Sequence, residues 1–143
     1  MADILHVFPI KAPPARVFQA VSQPEGLDRW WTKQSSGQPQ AGTEYHLSFG
    51  PGYDWAATVT RCVPDAEFEL ELTRADTDWR GTLVGFRLDR NDLGTWVRFS
   101  HLGWPSPNEH YRISSFCWAM YLRILRRYLE HGETVEYERR LDI

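Results

Sequence analysis

Few residues in this chain are placed to do acid–base or ligand chemistry, and His101 is the foremost. The run Thr95–Leu102 alternates, so Thr95, Val97, Phe99 and His101 share the face that a covering helix would meet. An imidazole there could hydrogen-bond a ligand or act as a general base, with Tyr45 or Tyr121 as a partner donor. It could equally satisfy a backbone carbonyl at the end of the sheet, and that structural role ranks first. Trp118 offers apolar area and a single N–H, so it serves as core plug or pocket wall, the plug ranking first. Arg61 and Arg87 sit mid-strand, where an inward guanidinium would need an anion; alternation with Phe86 turns Arg87 outward.

Other chemistries lack their residues. His6, His46, His101, His110 and His131 are dispersed, no two at the i, i+4 spacing of a helical metal site, so no metal is expected. Cys62 and Cys117 read as free buried thiols without a redox role. Gly50-Pro51-Gly52 lacks the third glycine of a nucleotide loop and joins two strands, so it reads as a hairpin turn. No Walker A, Gly-x-Ser-x-Gly, His-Glu-x-x-His or Cys-x-x-Cys sequence occurs. The expectation is no catalytic constellation and no cofactor.

The remaining distinctive feature is aromatic. Seven Trp, six Tyr and seven Phe make up 14% of 143 residues, in a chain with ordinary hydrophobic (42%) and charged (24%) fractions. Rigid rings build a core or wall an apolar site. Phe49, Leu70, Phe86, Phe99, His101, Trp118 and Tyr121 are the expected ligand-binding set, with Phe68 and Phe116 also converging inward. Phe8, Phe18 and Trp30 are assigned to packing the short helices, and Trp79, Trp96 and Trp104 to the outside. Glu67, Glu69 and Glu71 read as a solvated face. A net charge of −3 argues against nucleic acid, and no apolar run reaches the ~18 residues of a membrane span. No charged-then-apolar leader opens the sequence, so a cytoplasmic location is expected.

The elements that position these residues follow from periodicity. Ile4–Ile10 alternates as a strand, and Pro13–Val21 has a helix's spacing with proline in its first turn. Ser22-Gln23-Pro24-Glu25 has capping-box form and predicts a helix from Pro24 to about Trp31. Thr32–Gly42 reads as a polar loop. Glu44–Phe49, Tyr53–Val63, Glu67–Thr73, Arg80–Asp89 and Thr95–Leu102 read as strands of a meander. Ser106-Pro107-Asn108-Glu109 predicts a second capping box, and Gly132 a stop, for a long helix over Pro107–His131. Its expected apolar stripe is Ile113, Phe116, Cys117, Met120, Tyr121, Ile124 and Tyr128, widened by Trp118, Leu122, Leu125 and Leu129, which would bury more than half its girth. Val135, Tyr137, Leu141 and Ile143 in the tail are spaced to pair on a sheet edge or across a dimer. The expected fold class is α+β: a curved antiparallel sheet of six or seven strands around a long C-terminal helix, with two short helices after the first strand.

Three segments resemble one family. Pro13–Trp31 (PPARVFQAVSQPEGLDRWW) is similar to the N-terminal signature of activator-of-heat-shock-protein-ATPase homologues, within the START-like helix-grip (SRPBCC) superfamily. Gly94–Trp104 (GTWVRFSHLGW) looks like the Gly-Thr, Ser/Thr-His, Gly-aromatic segment of that family. Trp118, Leu122, Leu125, Leu129, Glu130 and Gly132 match its C-terminal helix. Gly50-Pro51-Gly52-Tyr53-Asp54-Trp55 departs from the Asp-Gly hairpin common in such proteins, and the tail has no counterpart in the core motif. The resemblance implies a helix-grip domain over residues 1–132, followed by a charged tail at 133–143. It also implies a hydrophobic cavity of the kind that takes lipids, polyketides, hormones or aromatic substrates elsewhere in the superfamily. The leading functional expectation is a small hydrophobic or aromatic ligand bound between sheet and helix by a monomer or weak dimer, with neither nucleic acid nor membrane as partner. An aromatase/cyclase- or hydrolase-like enzyme using His101 ranks second. A chaperone ATPase-stimulating, stress-response module ranks third, since no additional partner-binding segment accompanies the domain.

Overall fold

Side-chain alternation sorts most strands into a face that must be covered and a face that meets water. The computed structural model describes residues 1–142. β1 (Ala2–Ile10) leads into α1 (Pro14–Ser22) and α2 (Pro24–Trp30). Six strands follow: β2 (Gln34–Ser36), β3 (Glu44–Ser48), β4 (Asp54–Val63), β5 (Glu67–Arg74), β6 (Leu83–Asn91) and β7 (Gly94–Trp104). Then come α3 (Glu109–His131) and a 3-10 turn at Tyr137–Asp142. The strands form one antiparallel sheet in the order β1-β7-β6-β5-β4-β3-β2. Bulges in β4 break its register with β5, and such irregularities add the twist and bend a wrapping sheet needs. The fold class is thus as expected, with seven strands. The seventh is not the tail but β2, inside the expected loop. Gln34, Ser35 and Ser36 show no apolar alternation because a short edge strand needs only backbone pairing with β3.

Both expected capping boxes take other forms. Ser22 is the last residue of α1, and its hydroxyl donates to Phe18 O at 2.5 Å, so it is unavailable to α2. Gln23 ends one helix and begins the next without a side-chain cap, and Pro24 supplies the first turn. At α3 the cap is Asn108, whose Oδ1 accepts from Tyr111 N at 2.9 Å; Ser106 and Pro107 stay outside the helix. Gly132 stops α3 in the left-handed conformation (φ 69°), as its position after the last apolar turn predicts.

The Gly-Thr pair at the start of β7 has a steric explanation. Gly94 lies at φ 156°, where a Cβ would sit 2.5 Å from Ile10 O and 2.6 Å from Ala12 N. Thr95 then donates to Ala12 O at 2.7 Å. Glu130 near the end of α3 accepts from Lys11 N at 2.8 Å. The end of β1 is therefore clamped from both β7 and α3.

The seating of α3 corrects the expected stripe. Its buried residues are Ser114, Trp118, Leu122, Ile124, Leu125 and Leu129, while Ile113 (54% exposed) and Phe116 (78%) face solvent. At 100° per residue the two candidate stripes overlap, and only contact with the sheet chooses between them. The tail is also corrected. It forms no strand among the described residues; instead its 3-10 turn packs on α3, and its side chains reach the end of α2 and the residue after β3. Arg140, 4% exposed, donates to Asp28 O at 2.7 Å, Val135 O at 3.1 Å and Thr32 O at 3.2 Å. Tyr137 OH donates to Phe49 O at 3.0 Å. Ile143, expected to take part in tail pairing, lies outside the described residues.

Candidate functional site

The space between sheet and α3 is occupied by an aromatic cluster centred on Trp118. Alternation along β7 sends Thr95, Val97, Phe99 and His101 inward, all of them buried. Phe86 on β6 is paired with Phe99 across the ladder, their rings 5.3 Å apart. From α3, Trp118 packs onto Phe99, with ring centroids 4.5 Å from Phe99, 5.2 Å from Trp31 and 6.5 Å from Trp30. Phe49 reaches the cluster through Trp31 at 5.4 Å, and Tyr121 stands 6.3 Å from Trp118, one turn along the helix. Leu70, 2% exposed on β5, belongs to the same core. Of the seven expected residues, Leu70, Phe86, Phe99, His101 and Trp118 are buried, and Phe49 and Tyr121 are half-buried at the margin.

The polar atoms inside form a directed chain. Trp118 Nε1 lies 3.0 Å from His101 Nδ1, and an indole N–H can only donate. His101 must then carry its proton on Nε2, which donates to Thr82 Oγ1 at 2.8 Å, and the Thr82 hydroxyl in turn donates to Trp79 O. Burial, with the nearby charge of His110 adding to it, holds His101 down to about 3, so the ring is neutral near pH 7. Both nitrogens are engaged, which leaves no lone pair for a substrate proton. His101 thus binds side chains of the interior rather than a backbone carbonyl at the sheet's end.

The expected partner donors are similarly placed. Tyr45 is fully buried and donates to Ser22 O at 2.5 Å; burial, then Cys62, pushes its phenol upward. Tyr121 is pushed up to about 12, mainly by burial. Arg61 pairs outside with Glu67 at 3.3 Å and Arg87 is exposed, so neither guanidinium faces inward. Cys62 and Cys117 are free thiols, half-buried rather than buried. Among the described residues no cluster of three metal-ligating side chains occurs.

Trp79 and Trp104, expected outside, belong to this interior. Trp79 stacks on Trp118 at 5.7 Å and 25°, and meets His101 at 4.5 Å and Trp55 at 5.1 Å. Trp104 is fully buried, 5.0 Å from His101. Simple alternation from His101 sends residue 104 outward. Gly103, at φ 86°, interrupts the alternation beside the register break opposite Ala2 and Ile4, and turns the indole inward. That glycine was the legible signal. Trp79 lay in a turn, where no periodicity could orient it. Trp96 is 40% exposed, on the outer face as expected.

The positions that resemble the family signature are therefore those that hold the fold closed: Gly94 and Thr95, His101 with Trp118, and Glu130. The profile for activator of Hsp90 ATPase homolog 1-like protein matches residues 11–130. No curated protein matches the chain. The solution structure of the Aha1 dimer from Colwellia psychrerythraea is similar at 29% identity and TM-score 0.83, covering 93% of this chain and 99% of that one. A Bacillus halodurans protein follows at 25% identity and TM-score 0.76, covering 91% and 98%. CalU16 from Micromonospora echinospora shares the fold at 20% identity and TM-score 0.70, covering 98% and 80%. With most of its length matched by the family profile and its signature side chains in contact, the chain belongs to the activator of Hsp90 ATPase homolog 1-like family, in the START-like helix-grip superfamily.

Proposed function

We propose that this protein binds a small apolar or aromatic molecule between its sheet and α3, with Phe49, Leu70, Phe86, Phe99, His101, Trp118 and Tyr121 as the lining. The observation that carries this reading is the half-buried margin of the Trp118 cluster. Phe49, Trp55, Trp79 and Tyr121 are only partly covered, yet all pack against the interior. Rings at such a margin have space to rotate into, whereas the close-packed rings beneath them do not. A ligand would replace ring–ring contacts with ring–ligand contacts, and His101, neutral and doubly hydrogen-bonded, would orient Trp118 rather than titrate. Catalysis by His101 would require it to surrender either Trp118 or Thr82.

The test is titration of a fatty-acid and polyaromatic panel, followed by intrinsic Trp fluorescence. Saturable quenching that Trp118→Phe diminishes supports the reading; a silent panel overturns it. The family's description favours a second reading, stimulation of a chaperone ATPase, for which the exposed Ile113 and Phe116 of α3 would be the contact. An ATPase assay with the cognate chaperone tests it. A Phe116→Ser variant as active as the parent would exclude that surface.

A further inference from the structure

A second place between the sheet and α3 has the makings of a built site. β1 is an edge strand, and its alternation turns His6 and Phe8 toward α3. On α3, Ala119, Leu122, Arg123 and Arg126 follow the i, i+3, i+4, i+7 spacing of one helix face. Together they line a hollow of about 160 Å³. Its floor is apolar: Phe8 and Leu122 line it, and the His6 ring is stacked with Phe99 at 6.1 Å and 28°.

One of its polar groups is buried with nothing to bind. His6 Nε2 is buried and has no hydrogen-bond partner among the described residues. Buried polar atoms are ordinarily paired, so an orphan invites a ligand. Arg123 and Arg126 make no ion pair among the described residues, as is true of most arginines of this chain, but here both line the hollow. Two guanidiniums separated by one helical turn repel each other, and each presents planar donors that match a carboxylate.

We infer that this hollow is a binding site for a small monocarboxylate with a ring-sized or short-chain apolar body. The carboxylate would lie between Arg123 and Arg126, with the His6 imidazole as the inner polar contact and Phe8 and Leu122 against the apolar body. A ring-sized body fits this volume, since a hollow of roughly 150 Å³ accommodates a single benzene ring. This rests on the proposed ligand-binding function and narrows it to an acidic ligand and a defined entrance.

Benzoate and its neutral counterpart benzamide, titrated into the full chain and followed by calorimetry and by the NMR signals of His6 and Trp118, test the inference. The expected result is saturable benzoate binding that shifts the His6 ring signals and is at least about tenfold tighter than benzamide. Arg123→Ala with Arg126→Ala should abolish that advantage at unchanged melting temperature, and Arg126→Lys should restore part of it. Benzoate no tighter than benzamide, or an arginine-free variant binding benzoate as the parent does, would overturn it. Benzamide binding without a gain from charge removes the carboxylate while leaving the apolar-ligand reading intact. Binding of neither probe at His6, with the polyaromatic panel still quenching Trp118, removes only this site; silence of every ligand removes both.

Discussion

Trp118 and Phe116 are two positions apart on one helix and differ in almost every physical respect. Trp118 is 1% exposed, packs against Trp30 of α2 and Trp31 just after it, and donates its only N–H to His101. Phe116 is 78% exposed. Trp118→Ala should cost about 3–5 kcal/mol, the range for a large ring deleted from a packed core. Phe116→Ala should fall within about 0.5 kcal/mol of the parent in the same urea titration. His101 makes stability depend on pH. Its proton affinity is lowered from 6.5 unfolded to about 3 folded, so between these values the unfolded chain binds the extra proton. Stability therefore falls as pH drops from 6.5 toward 3, by at most about 1.4 kcal/mol per pH unit from this group. Urea midpoints measured across that window should fall less steeply for His101→Gln. A parallel decline in parent and variant would mean that the imidazole is not held neutral.

Among the elements, the tail supplies the end of α2 with donors that the helix itself lacks. The last carbonyls of a helix lack partners within it. Arg140 supplies donors to Asp28 O and Thr32 O at that end of α2, where a cation is also favoured by the helix dipole. Arg140→Ala should cost about 1.5–3 kcal/mol, as expected for losing a charged donor from buried carbonyls. Deleting residues 133–143 should lower the melting temperature at unchanged mass by light scattering. Unchanged stability would show the tail idle. The same logic applies at the β1–β7 corner, where Gly94→Ala should cost at least about 1–3 kcal/mol in thermal unfolding, from backbone strain alone.

At the scale of the whole molecule, the aromatic surplus is one connected body. Rings run from Phe49 through Trp31 and Trp118 to Trp79, His101 and Trp104, crossing α2, α3 and both halves of the sheet. Near-UV circular dichroism should respond to this body as a unit. Trp79→Phe should diminish the tryptophan bands far beyond one-seventh of the signal while leaving the far-UV spectrum unchanged, because it removes the partner stacked on Trp118. Loss of only a proportional share would mean that the rings behave independently. Much of this assembly was legible in the sequence. Alternation in β5 and β7 and the stop at Gly132 predict which side chains turn inward, because periods of two and 3.6 residues translate directly into faces. Phe99, His101 and Trp118 could be assigned to one interior on that ground. Three features could not be read locally: the polar strand β2, the rotation of α3 away from Phe116, and the docking of Arg140. Each depends on a partner remote in sequence. Periodicity within a segment determines the faces it offers. Which face is covered, by what, and whether an imidazole between them keeps a free nitrogen is decided only when the whole chain competes for the same contacts.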